Sequence, residues 1–178
     1  ATSRAGKAHL NAYLDDHSLL ISALIELMQS RFRPVDLAFA EDLADALLDD
    51  FEDRGRGGFF FTRHDHEALI HRPRSAHDGA MPSGNGVAAQ ALGRLGHMTG
   101  ETRYLDAAER TLQAFYTAFR QSPSGYASLA LALAEQRRPP SLLVLRGPAG
   151  SLEPWLERLA GRYLPHVLCL ALPGDIAG

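Results

Sequence analysis

The sequence predicts a mainly α-helical protein, in which antiparallel helical hairpins carry an inserted β-hairpin and are followed by a small C-terminal βαβ unit. Three observations support this fold class. Apolar residues recur at helical spacing in successive segments of residues 1–138. Two short apolar runs flank a polar turn within residues 58–72, and residues 139–178 contain an apolar run, an amphipathic segment and a second apolar run.

Two helices make the first predicted hairpin. Over residues 13–28 the apolar positions follow helical spacing when the ring of His17 is counted on the buried stripe. Pro34 suits the first turn of the next helix, because the N–H group that proline lacks would have no partner there. That helix is apolar on one face as far as Phe51 and acidic on the other.

A β-hairpin is predicted between the two helical hairpins. Residues 59–62 and 68–71 are apolar runs of strand length, and a polar turn lies between them. The run Phe59-Phe60-Phe61 does not alternate with polar residues, so both of its faces are expected to be covered.

The second helical hairpin is predicted from the patterns of residues 87–95 and 104–119, which are separated by a short connection at Gly100. A fifth helix follows over residues 126–136, where alanines allow another helix to approach closely.

The sequence pattern changes after the fifth predicted helix. Beyond Pro140, residues 142–145 and 166–172 have the composition of strands, and residues 152–163 have that of a helix. A strand, a helix and a second strand in this order predict a βαβ unit.

The composition is that of a globular chain. It has 178 residues, 46% of them hydrophobic, and a net charge of −3 without a long run of one sign. This balance argues against nucleic acid and anionic membranes as partners. No apolar run approaches the roughly 18 residues of a membrane span. The single cysteine, Cys169, excludes an internal disulfide, so we expect a cytoplasmic protein.

The predicted elements are too few to cover one another. The fifth helix has no partner, and two strands do not make an independent sheet. We therefore expect a piece of a larger protein, whose exposed apolar faces would also allow a homo-oligomer.

Several short motifs lie in a recognisable order. They are Gly6-Lys7, the run from Tyr13 to His17, Gly57-Gly58-Phe59-Phe60, the run from Asp78 to Asn85, and the run from Leu95 to Gly100. In order and spacing the sequence resembles the C-terminal region of the thioredoxin domain-containing proteins of the YyaL and spermatogenesis-associated type. It departs from them at His17, where the family tends to have Tyr, at Arg74, where Lys is usual, and at Gly86, where Ser is common.

The resemblance implies a fold. The family is expected to have a thioredoxin-like domain followed by an (α/α)6 toroid, the fold of six-hairpin glycosidases and of N-acylglucosamine 2-epimerase. Residues 1–138 would then be a partial (α/α) toroid with the β-hairpin at 58–72, and residues 139–178 a small α/β tail. Thioredoxin-like chemistry would lie outside this chain, whose sequence lacks a Cys-x-x-Cys motif.

Three carboxylates are the catalytic candidates that this resemblance implies. In (α/α)6 sugar enzymes, acids at the ends of inner helices face the central cavity, where they act as general acid and base. Asp15 and Asp16 adjoin the start of the first helix, and Asp78 lies in the loop before the third. Neighbouring helical residues point about 100° apart, so at most one of Asp15 and Asp16 reaches the cavity. Helix capping and turn formation by these acids is the alternative.

The substrate-binding candidates are Tyr13, Arg72, Arg74, Ser83 and Asn85. Ser83 and Asn85 both suit the N-cap of the third helix, and the one that does not cap would present its polar group to a sugar hydroxyl or an anion. Arg72 and Arg74 are either solvated charges or a clamp for a carboxylate or phosphate. Tyr13 belongs to the same motif as the first two acids.

No cofactor and no metal are predicted. His64, His66, His71 and His77 are close in sequence but lack the spacing of a zinc site. The leading interpretation is a fragment of a carbohydrate-active protein that hydrolyses glycosides or epimerises sugars by acid/base catalysis. The alternative is a non-catalytic binding or scaffold module that is incomplete on its own.

Overall fold

A computed structural model describes residues 2–9, 11–65 and 71–174, and its elements confirm the mainly helical fold class. The helices are α1 (Leu14–Ser30), α2 (Pro34–Asp50), α3 (Gly84–Thr99), α4 (Thr102–Gln121), α5 (Ala127–Arg137) and α6 (Ala149–Ala160). The strands are β1 (Thr2–Arg4), β2 (Lys7–His9), β3 (Ser141–Gly147) and β4 (Val167–Pro173). The five helices predicted before the tail, and the strand, helix and strand of the tail, are all present. No helix in these ranges is long and apolar enough to span a membrane.

The first five helices form two layers. α1, α3 and α5 lie side by side with α3 in the middle, while α2 packs on α1 and α4 packs on α3. The layers meet through the apolar stripes of the helices, which bury Ile21, Ile25, Leu47, Leu92 and Tyr104 completely. Inner and outer helices therefore alternate along the chain, as consecutive helical hairpins require. The partial (α/α) toroid stays a prediction.

A charged network holds the inner layer together. The guanidinium of Arg94 on α3 donates to both carboxylate oxygens of Glu135 on α5, at 2.7 and 2.8 Å, and to Glu26 on α1 at 2.7 Å. The amide of Gln90 also donates to Glu135, at 2.7 Å. Because one arginine bonds acids on both neighbouring helices, the network links all three.

The first arm of the predicted β-hairpin forms no strand. Phe59 makes an isolated antiparallel bridge to Glu52. The C=O of Phe61 accepts a hydrogen bond from the N–H of Leu14 at the start of α1, at 3.0 Å. Phe59 is fully buried but Phe61 is 36% exposed, so the phenylalanine run is only partly covered. Helix ends, a loop carbonyl and a side chain bond its backbone instead of a partner strand. Residues 68–70 of the second arm lie outside the described residues.

A hairpin of β1 and β2 precedes the helices, and the sequence pattern did not predict it. Ala5 and Gly6 connect the two strands with φ values of 53° and 72°, the left-handed conformation of a tight antiparallel turn. Strands of three residues are too short to show an alternating pattern, which is why the hairpin was missed.

The C-terminal tail is the predicted βαβ unit. β3 and β4 pair in parallel, and α6 connects them. Leu168 and Leu170 of β4 join the helical core, and the N–H of Cys169 donates to Oε1 of Gln29 on α1 at 3.2 Å. The tail therefore packs on α1. Its division from residues 1–138 as a separate domain stays a prediction.

Candidate functional site

The first turns of α1, α3 and α5 meet at one end of the inner layer. Asp15 lies in the first turn of α1, Ser83 and Gly84 begin α3, and Ser128 is the second residue of α5. These residues, with Asp78 from the loop before α3, are called the helix-start cluster below. Free N–H groups and the helix dipoles make such an end electropositive, which favours carboxylates there.

The carboxylate of Asp78 joins the starts of α3 and α5. Its Oδ1 accepts hydrogen bonds from the N–H of Ser83 at 2.8 Å and from the hydroxyl of Ser128 at 2.5 Å, and its Oδ2 accepts from the N–H of Ser128 at 2.8 Å. Burial acts to raise the pKa of Asp78, but the donors on Ser128 and Ser83 together hold it below its ordinary value. Asp78 is therefore an ionised cap shared by two helices.

Ser83 and Asn85 take different roles. Ser83 is the N-cap of α3, and its Oγ accepts a hydrogen bond from the N–H of Gly86 at 3.1 Å. Asn85 is fully buried, and its Oδ1 accepts from the N–H of Phe59 at 2.7 Å. The Nδ2 of Asn85 donates to the C=O groups of Phe59 and Ser75, both at 2.9 Å. The amide that does not cap the helix is thus bonded to the protein's own backbone.

Asp15 and Asp16 also differ, as expected for neighbours on a helix. Oδ2 of Asp16 accepts a hydrogen bond from the N–H of Tyr13 at 2.9 Å, which lowers the pKa of Asp16 and caps α1. The half-buried carboxyl of Asp15 lies against Gly84, where an added Cβ would overlap it. Burial and then the charge of Asp16 raise the pKa of Asp15, although the N–H of Gly84 acts to lower it. Among the three predicted acids, Asp15 has the raised pKa.

Arg72 and Arg74 support the segment that follows α2. The guanidinium of Arg74 donates to the C=O of Gly57. That of Arg72 donates to the C=O of Thr62 at 2.5 Å and lies over the ring of Phe60, 4.2 Å from its centroid. Both arginines are therefore engaged with the protein's own backbone and aromatic rings.

His17, where the sequence departs from the resembled family, belongs to the core. Its ring is 8% exposed, its Nδ1 lies 2.9 Å from the C=O of Tyr13, and its centroid lies 5.0 Å from that of Phe51. This placement confirms that His17 lies on the buried stripe of α1.

A cleft of about 170 Å³ opens beside the helix-start cluster, and its wall includes Asp15, Ser83, Asn85, Phe61 and His77. The ring of Phe61 stacks on that of Tyr13, with centroids 4.8 Å apart and planes 7° from parallel. The cleft thus brings together part of the predicted site. The other five predicted residues are not among the described residues that line it; they are Tyr13, Asp16, Asp78, Arg72 and Arg74.

Phe61 and His77 line the cleft although neither was predicted to be a site residue. His77 was considered only within a histidine cluster. Its exposed ring meets that of Tyr126 edge-on, with centroids 5.4 Å apart. It packs over Gly125, where an added Cβ would lie 2.6 Å from Nε2. The neighbouring N–H of Asp78 donates to the C=O of Gly125 at 2.8 Å, so the connection between α4 and α5 positions the histidine.

The cleft combines a carboxyl with a raised pKa, an exposed imidazole and an aromatic ring. Such a carboxyl suits proton donation to an oxygen, and an imidazole can give or accept a proton. The aromatic face offers apolar area to a ring-shaped ligand. Within the described ranges, which exclude His66, no three histidine, cysteine, aspartate or glutamate side chains are grouped to hold a metal ion.

Comparison with curated proteins finds relatives that share one name. The chain is 27% identical over 166 residues to spermatogenesis-associated protein 20 of Homo sapiens, and it matches the proteins of that name from Rattus norvegicus and Mus musculus at the same identity. The match covers 92% of this chain and 21% of each relative, so the chain spans about a fifth of their length. No family model matches the chain. The relatives bear the name that the motifs indicated, which confirms the resemblance.

Proposed function

We propose, from the toroid fold that the resemblance implies and from the chemistry of the cleft, that the cleft binds a neutral sugar and that Asp15 is its general acid. The observation that carries the proposal is the half-buried carboxyl of Asp15, which has a raised pKa and lies in the wall of the cleft. A proton held by such a carboxyl can pass to a glycosidic or ring oxygen. The reaction class is glycoside hydrolysis or sugar epimerisation.

His77 is the second acid/base group in this proposal. Proton transfer through a sugar needs one group that gives a proton and one that accepts it. His77 lines the same cleft as Asp15 and carries an exposed imidazole. Asp16 and Asp78, which were also predicted to be catalytic, act instead as positioning residues, because their carboxylates bond the helix starts.

The sugar would lie against Phe61. This ring is 36% exposed and is backed by the stacked ring of Tyr13, so it offers a rigid apolar face. Ser83 also lines the cleft, at the start of α3. Arg72 and Arg74 have no role in binding this sugar, because a neutral ligand needs no clamp for an anion.

A non-catalytic binding or scaffold module is the second candidate. It is favoured by the hydrogen bonds of Asp78, Asn85 and Arg74, since each of these predicted site residues holds another element of the protein. In this case the acids act as helix caps, and a cleft residue such as Phe61 binds a ligand without any reaction being catalysed.

Saturation-transfer NMR with a panel of neutral mono- and disaccharides tests the proposal on the 178-residue chain. We expect at least one sugar to bind, and Phe61→Ala to weaken binding by about tenfold, the effect of losing one aromatic contact. Asp15→Asn is expected to keep binding but to abolish turnover of the bound sugar. Asp42→Asn, an exposed carboxyl on α2, is the matched control and should change neither.

The outcomes separate the two candidates. Turnover that is lost in Asp15→Asn and kept in Asp42→Asn supports the acid. Binding without turnover in the wild-type chain supports the binding module. If no sugar in the panel binds, or if Phe61→Ala binds as well as the wild type, the cleft is not a sugar site.

A further inference from the structure

A cleft of about 320 Å³ lies between the loop that follows α2 and the middle of α4. The described residues that line it are 54–57 of the loop and Arg110, Gln113 and Ala114 of α4. Three of them are arginines, Arg54, Arg56 and Arg110, and none is acidic. None of them lines the cleft beside the helix-start cluster. This separate cleft has a cationic wall and is called the arginine cleft below.

Hydrogen bonds fix the backbone of the loop. Oδ1 of Asp53 accepts from the N–H groups of Gly55 and Arg56, at 3.2 and 3.1 Å. The N–H of Gly57 donates to the C=O of Asp53 at 2.7 Å. Gly57 has a φ of 77°, and an added Cβ there would lie 2.5 Å from the C=O of Arg110, so the loop lies directly against α4. The loop and α4 therefore bring their arginines to one cleft before a ligand binds, which lowers the entropy cost of binding.

Ion pairs within the protein account for two of the three arginines. Nε and Nη2 of Arg110 donate to Oε1 of Glu52, at 2.9 and 2.5 Å, and the side chain of Glu52 is 3% exposed. The guanidinium of Arg54 is 72% exposed and lies 3.4 Å from the carboxylate of Asp49 and 4.0 Å from that of Glu52. These contacts leave Nη1 of Arg110 without a hydrogen bond to any described residue.

Arg56 is not accounted for in this way. It is exposed, and its guanidinium has no hydrogen bond or ion pair with a residue that the structure describes. The carboxylate of the neighbouring Asp53 bonds the loop backbone through Oδ1, and its Oδ2 lies 3.6 Å from Nε of Arg74. Because only Glu52 and Asp49 pair with the three arginines, one positive charge is left over in the cleft.

We propose that the arginine cleft binds the phosphoryl group of a phosphate monoester. Such a group carries a charge of about −1.5 to −2 at neutral pH and three acceptor oxygens. Its tetrahedral shape allows guanidiniums that come from a loop and from a helix to bond different oxygens, and arginine suits phosphate recognition. A carboxylate has two oxygens in one plane, which a single guanidinium satisfies. The charge left over and the two directions of approach therefore favour phosphate over a carboxylate.

NMR titration of the isotope-labelled 178-residue chain with inorganic phosphate tests the proposal, with sodium chloride holding the ionic strength constant. We expect saturable shifts of the backbone amide signals of Gly55, Arg56 and Gln113, which line the cleft. Arg56→Gln should weaken phosphate binding by about tenfold, the effect of losing one charge-assisted contact. Arg54→Gln should weaken it as well.

Arg158→Gln is the matched control. Arg158 is an exposed arginine of α6, so its replacement changes the net charge equally and should leave phosphate binding as it is in the wild type. Titration with acetate separates the two kinds of anion, and we expect acetate to bind at least about tenfold more weakly than phosphate. Circular dichroism on each variant shows that it is folded.

The proposal is overturned if phosphate gives no saturable shift in the arginine cleft, or if Arg56→Gln and Arg54→Gln both bind phosphate as well as the wild type. Equal weakening by Arg158→Gln overturns it too, because overall charge would then explain the binding. Acetate that binds as tightly as phosphate overturns the choice of a phosphoryl ligand. None of these results bears on the sugar cleft, since the two clefts share no lining residue.

Discussion

The amide of Asn85 pairs with the backbone of Phe59 as a strand neighbour would, accepting from its N–H at 2.7 Å and donating to its C=O at 2.9 Å. Asn85 begins α3, and Phe59 follows α2, so this side chain fastens the phenylalanine segment to the inner layer. Both residues are fully buried. The part of the cleft wall that Phe61 forms depends on this attachment.

Asn85→Ala is expected to lower the free energy of unfolding by about 3 kcal/mol. The substitution leaves the N–H and C=O of Phe59 and the C=O of Ser75 without this partner, and buried groups that lose their partner cost about 1 to 3 kcal/mol each. Urea unfolding followed by circular dichroism measures the loss. Asn11→Ala, at an exposed position before α1, is the control. Equal stabilities of the two variants would contradict a structural role for the amide.

Asp78→Asn is expected to destabilise the chain at neutral pH by about 2 kcal/mol, the worth of hydrogen bonds to a charged acceptor. The pKa of Asp78 is lowered from the ordinary 3.8. Its stabilisation is therefore complete above the ordinary pKa and is lost as the pH falls through the lower folded pKa. Unfolding curves at several pH values should show wild type and variant converging at strongly acidic pH, and a difference that does not shrink there would exclude the charge as the cause.

Asp15→Asn is expected to stabilise the chain at neutral pH, the opposite of the effect of Asp78→Asn. The pKa of Asp15 is raised from 3.8, so the folded state favours its protonated form. The favourable contribution is present below the ordinary pKa and is lost as the pH rises through the folded pKa, which leaves an unfavourable charge at neutral pH. The variant should be more stable than wild type at pH 7 by less than about 1 kcal/mol, with no difference in acid. Asp42→Asn serves as the exposed control.

Replacement by alanine is expected to have opposite effects on stability at two glycines of α3. A Cβ at Gly86 would overlap the hydroxyl of Ser128 and lie 2.9 Å from the N of Leu129, so Gly86→Ala should destabilise by about 2 kcal/mol. A Cβ at Gly93 would meet nothing closer than 4.0 Å, at Ala108, so Gly93→Ala should stabilise by about 1 kcal/mol through helix propensity. Thermal unfolding of the two variants compares them directly, and effects of the same sign would contradict the close approach of α3 and α5.

The same contact bears on a departure from the residues that the resemblance implies. The resemblance implies serine at the position of Gly86, and the Cβ of a serine would meet Ser128 in this chain. The close packing of α3 against α5 therefore depends on a residue without a side chain.

Much of the fold was predictable because a helix can be recognised from patterns among residues that are close in sequence. The apolar stripe of α1, with His17 on its buried side, and the proline at the start of α2 are properties of neighbouring residues in sequence. The βαβ tail was predictable for the same reason. The phenylalanine segment was not, because a run of apolar residues does not say whether a strand or a side chain such as Asn85 will bond its backbone.

The candidate site was only partly predictable. Ser83 and Asn85 were equally good caps by composition, and the choice between them depended on contacts with residues far away along the chain. His77 was not separated from the neighbouring histidines, because its place in the cleft depends on Gly125 and Tyr126 in the connection to α5.

By itself, the sequence determined the helices, their order, the C-terminal βαβ unit and the set of acids near the helix starts, since spacing and local chemistry are enough for these. Only the tertiary structure decided what each acid does. Asp78 bonds α5, 50 residues away, and Asp15 lies against α3 at Gly84. A carboxyl's pKa depends on its burial and on the donors that surround it, and those neighbours are brought together only when the inner helices pack.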